Sequence, residues 1–88
     1  MNNKVYEVVE VNEWEGETDV SSSIFASFKD AARDYTQRIS YVQQDFEDIE
    51  DIIEVNTQEG EEYKYIAYRD SYYSLCHTII SISVKEVQ

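Results

Sequence analysis

From Lys4 to Trp14 the chain reads KVYEVVEVNEW, with Tyr6 and Val8 pointing one way and Val5, Val9 and Val11 the other. That period of two predicts a β-strand, and apolar groups on both sides predict a strand covered on one face and partly shielded on the other. A second arm, TDVSSSIFA, follows the acidic cluster EWEGETD. Gly16 in that cluster supplies the positive φ of a tight connection, so the two arms read as a hairpin. The second arm looks weaker, because SSS has little to pack.

The pattern then changes period. Phe28, Ala31, Ala32, Tyr35, Ile39, Val42 and Phe46 recur at helical spacing and form one stripe. Ser27 stands just before the stripe with Asp30 three residues on, an Asp version of the capping box. A helix from about Phe28 to about Phe46 follows. Its outward residues Lys29, Asp30, Arg33, Asp34 and Arg38 read as an ordinary solvated surface of mixed sign.

Beyond Gln44 two readings compete. Phe46, Ile49 and Ile53 continue the helical stripe, whereas IIEVN begins a strand with Ile53 and Val55 on one face. A helical turn to about Asp51 followed by a strand is favoured. Gly60, in NTQEGEE, then turns IIEVNT back onto EYKYIAYR as a second hairpin. The last segment, CHTIISISVKEV, places Cys76, Thr78, Ile80, Ile82 and Val84 inward and His77, Ser81, Ser83 and Lys85 outward, with Ile79 breaking the pattern. The expected fold is α+β: an antiparallel sheet of about five strands, ββαβββ, with one amphipathic helix packed on one face. The expected organisation is a single domain spanning 1–88.

Charge changes the picture more than size does. Nineteen acidic residues stand against seven basic ones, a formal charge of −12 on 88 residues. Such a field repels phosphates and anionic membrane surfaces, so direct nucleic-acid and membrane binding are not expected, and a basic protein surface is the favoured partner. With 42% apolar and 14% aromatic residues, in patterned segments, the chain is expected to fold and not to behave as an acidic tail. One cysteine, no apolar leader and no run of about 20 apolar residues give a cytoplasmic expectation.

The carboxylates do not space as a metal site. A calcium loop begun at Asp45 or at Asp48 places an isoleucine, Ile49 or Ile52, at the fifth ligand position, so no cofactor or metal is expected. Cys76 and His77 are neighbours on a strand and point to opposite faces, which defeats both zinc and a Cys–His pair. No nucleophile elbow and no glycine-rich phosphate loop occur, and the chain reads as a non-enzyme.

Two clusters remain. Tyr63, Tyr65, Tyr68, Tyr72 and Tyr73 fall within YKYIAYRDSYY, and Trp14 lies beside the first turn. Cross-strand packing accounts for such residues; so does an interface, since aromatic side chains anchor binding surfaces. The second cluster is DFEDIEDIIE, where Asp45, Glu47, Asp48, Glu50, Asp51 and Glu54 have no basic neighbour. Wound as a helix, this stretch spans about 15 Å and carries about 0.4 negative charges per Å, against about 0.6 along duplex DNA. Like charges three and four apart oppose the helix, so the arrangement works against local stability. It reads either as a solvated face that keeps the protein in solution or as a face for a basic partner.

In size, charge and lack of catalytic motifs the chain resembles the small acidic inhibitors of phages and mobile elements, the anti-CRISPR and anti-restriction DNA mimics. The resemblance is one of physical type. It implies occupation of the basic DNA channel of a nucleic-acid-binding protein such as a nuclease or repressor. The alternative is a small assembly protein that forms a homodimer through a sheet edge or tyrosine-rich face.

Overall fold

The structure, a computed structural model, describes residues 3–14, 16–45, 52–69 and 77–87. Its elements run β1 (Asn3–Trp14), β2 (Glu17–Phe25), α1 (Phe28–Asp45), β3 (Ile52–Glu59), β4 (Glu62–Arg69) and β5 (His77–Val87). They form one antiparallel five-stranded sheet in the order β2-β1-β5-β4-β3, with α1 across one face. This is the ββαβββ α+β fold expected from the pattern.

Two hairpins build the sheet, and each turns where a glycine allows it. Trp14 pairs with Glu17 and Glu59 with Glu62, so the connections are two residues long. Gly16 and Gly60 take φ of 85° and 61°, a region closed to most side chains. The hairpins never pair with each other; β5 lies between them. Their turns therefore point to opposite ends of the sheet.

Register decides what each face carries. Tyr6, Val8, Tyr65, Ala67, Ile80 and Ile82 fall on the helix side and are buried, meeting Ala31, Tyr35 and Val42 of α1. Around the start of α1, Phe28 stacks edge-on to Tyr6 at 5.7 Å and lies 5.8 Å from Tyr63, which is 5.9 Å from Tyr35. The Ser27 hydroxyl accepts from the Asp30 N–H at 3.2 Å, capping the helix. Tyr6 and Val8 face the core and Val5, Val9 and Val11 the other side, as the alternation requires. Ile79 does break the pattern: it lies on the face away from the helix, opposite Val11 and Ile66.

The strand favoured after Asp51 is present, and one expectation is corrected. Ile53 and Glu54 belong to β3, so the competing helical reading does not extend through 54; the strand pairs Ile53 with Tyr68 and Glu54 with Ala67. Arg38 is not a solvated helix residue. It is half-buried, its Nε donating to Asp34 at 2.8 Å and its guanidinium reaching Glu10, Ser21 and Ser23 at 2.8–3.1 Å. The SSS segment thus has something to bind, and the hydroxyls fasten edge strand β2 to the helix.

Among the described residues no helix is long and apolar enough to cross a membrane.

A carboxylate-rich end of the sheet as candidate functional site

Cross-strand rows show where the charge goes. On the helix side one row runs Asp19, Asn12, Thr78, Ala67, Glu54, from the β2 edge to the β3 edge. Glu17, beside the first turn, stands beyond it. The C-terminal turn of α1 arrives over the same end, since Gln43 Nε2 donates to Glu54 Oε2 at 3.0 Å. Glu17, Asp19, Asp45 and Glu54 are all exposed. None makes an ion pair among the described residues, where pairing engages Glu7, Glu10, Glu13, Asp30 and Asp34.

The helix adds to this field. Its last turn holds no basic residue and ends on Asp45. The carbonyl end of a helix carries about half a negative charge, so a carboxylate there is disfavoured by about 0.3–1 kcal/mol. The backbone places Arg69, paired with Ile52, at this end. Lys4, Lys29, Arg33 and Lys85 belong to the opposite end, and Arg38 is engaged by Glu10 and Asp34.

Glu54 is the best-defined of the four. Besides Gln43 it accepts from the Tyr65 hydroxyl at 2.5 Å. These two donors, Gln43 first, hold its carboxyl below the usual range, against the opposing effect of burial. It is the ionised form that these neutral donors favour.

Behind the rim a polar chain crosses the sheet. The buried Thr78 hydroxyl donates to Asn12 Oδ1 at 2.7 Å, Asn12 Nδ2 donates to Glu10 Oε2 at 2.8 Å, and Glu10 Oε1 receives Arg38. Burial alone lowers the Arg38 pKa, but hydrogen bonds with Asp34 and Glu10 outweigh it and raise the value. Asn12, Glu10 and Arg38 were not singled out from sequence. An inward Thr78 was the available signal, because a buried hydroxyl needs a partner.

The remaining candidates divide. Glu47, Asp48, Glu50, Asp51, Tyr72 and Tyr73 lie outside the described residues, as does the side chain of Trp14. Tyr65 is 1% exposed and Tyr63 is held between Phe28 and Tyr35, so both belong to the packing beneath the helix. Tyr68 lies on the opposite face, half-buried. The second acidic turn does not join the rim: Glu59, Glu61 and Glu62 sit at the far end, where the Tyr6 hydroxyl donates to Glu61 at 3.3 Å. Compared with known proteins, the chain matches no protein-family profile, no curated protein and no solved structure.

Proposed function

We propose that this protein is a non-enzymatic binding module that presents carboxylates to a basic protein surface, as a mimic of the DNA backbone. Its partner is a nucleic-acid-binding protein, and it acts as an inhibitor by occupying the partner's DNA channel. One observation carries this reading: Glu17, Asp19, Asp45 and Glu54 are spread along the one end of the sheet over which α1 terminates, while four of the seven basic residues lie at the opposite end. A surface built only for solubility has no reason to stack anionic groups where a helix terminus opposes them. Glu47, Asp48, Glu50 and Asp51, in the same run of the sequence as Asp45 and Glu54, are proposed to serve the same partner. Trp14, Tyr68, Tyr72 and Tyr73 are the aromatic groups that remain for desolvated contacts.

The test is capture of nucleic-acid-binding proteins from a lysate on the immobilised chain. Capture should fall steeply with salt and be competed by duplex DNA, because the contacts replace phosphates. Changing Glu17, Glu47, Glu50 and Glu54 to Gln, with Asp19, Asp45, Asp48 and Asp51 to Asn, should abolish it. Salt-insensitive capture, or capture retained by that variant, would overturn the reading.

A further inference from the structure

The sheet face away from α1 carries an apolar row five strands wide. Register aligns Val20 of β2, Val11 of β1, Ile79 of β5, Ile66 of β4 and Val55 of β3. Val9, Tyr68 and Ile53 stand in the adjoining rows. No described element covers this face; Val20 is 60% exposed, Ile24 65% and Val55 39%. A half-solvated antiparallel sheet ordinarily turns polar residues outward.

Charged groups on this side flank the row, Glu7, Glu13, Glu59 and Glu62 against Lys64 and Lys85, and two contacts tie some of them together. Lys85 Nζ lies 2.7 Å from Glu7 Oε1, and His77 Nε2 lies 3.3 Å from Glu13 Oε2. The face therefore carries only about −2 of the formal charge of −12, with His77 neutral. A strongly basic partner is drawn to the opposite side of the sheet. Another copy of the chain meets weaker repulsion here than at the carboxylate-rich end.

We infer that two copies associate face to face through this row, in a two-fold dimer with Ile79 nearest the axis. The dimensions suffice. Five strands at about 4.8 Å and the six rungs they share at about 3.3 Å, with two further rungs of β2, β1 and β5, give about 570 Å² per face in projection. Two such faces exceed the roughly 1,000 Å² expected of a specific interface. Ile79 then meets its own copy, while Val11 faces Ile66 and Val20 faces Val55 across the interface, each pairing occurring twice as an isologous contact requires. Sheets pack about 10 Å apart, which leaves both helices and their carboxylates on the outside. The two acidic surfaces are then at least roughly 20 Å apart, beyond the Debye length of about 8 Å at physiological ionic strength. The dimer goes beyond the DNA-mimic reading and does not depend on it.

Sedimentation velocity from low to several hundred micromolar chain, at about 0.05 and about 1 M salt, tests the inference. A dimer that holds or tightens as salt rises is expected. Val20→Lys with Val55→Lys, both at exposed positions, should weaken it at least tenfold, while Asp19→Asn with Asp45→Asn should not weaken it. On dilution of the unaltered chain, the NMR shifts of Val11, Ile66 and Ile79 should move, a readout that does not require the variant to fold. A monomer at every concentration, dissociation by added salt, indifference to the lysine pair, or shifts confined to other surfaces would each overturn it.

Discussion

The Tyr65 hydroxyl donates to Glu54 Oε2 at 2.5 Å, joining a ring that is 1% exposed to an exposed carboxylate diagonally across the β3–β4 ladder. One member of the acidic stretch is thus also a structural acceptor. Tyr65→Phe keeps the packing and removes the donor, so it should cost about 1 kcal/mol in urea unfolding at neutral pH. Tyr65→Ala, which leaves a cavity between sheet and helix, should cost about 3–5 kcal/mol.

The same pair predicts how stability varies with pH. Burial first, then the Glu54 hydrogen bond, raise the Tyr65 pKa above its ordinary 10.0. A raised group contributes stability that is complete below the ordinary value and lost as pH rises above it, so the melting-temperature gap between the unaltered chain and Tyr65→Phe should narrow above pH 10. Glu54 has the opposite sign. Its lowered pKa gives stability that is present above the ordinary 4.5 and lost as pH falls below it, so the gap to Glu54→Gln should close in acid.

Arg38 holds the edge strand. With the guanidinium removed, half-buried Glu10 and Asp34 lose their cation and Ser21 and Ser23 their donor. Arg38→Ala should cost about 2 kcal/mol, or about 10 °C in melting temperature for a domain of this size. Arg38→Lys should recover only part, because an ammonium cannot match the fork. In a double-mutant cycle, Arg38→Ala and Glu10→Gln should be clearly non-additive.

Gly60→Ala should cost about 1 kcal/mol through backbone strain alone, since a Cβ there meets no atom within 4 Å and φ is 61°. Gly60→Asn should cost less, as asparagine tolerates this conformation. Chemical denaturation of both variants, with unchanged slope, checks it.

The elements were legible because their periods are clean. EYKYIAYR is β4 to the residue, α1 begins at Phe28 as expected, and both glycine turns fall where expected. Side-chain partnerships between distant segments were not. Helical spacing puts Arg38 on the outer side of α1, and only the sheet order, which brings β2 alongside β1, shows that Glu10, Ser21 and Ser23 meet it there. The charge rim was half legible: Asp45 and Glu54 stood out by local density, but their union with Glu17 and Asp19 depends on a register that no local pattern encodes.

The central position of β5 has a consequence for biosynthesis. As the chain leaves the ribosome, β1–β2 and β3–β4 emerge as separate ribbons, each with inner backbone groups unpaired and an apolar side uncovered. Isolated ribbons of this kind are barely stable in water. Until residues 77–87 arrive to bridge them, the nascent polypeptide has two competing strand edges that pair with whatever is nearby. Shortening from that side therefore removes the bridge, and a nascent chain stalled there is the state most exposed to aggregation.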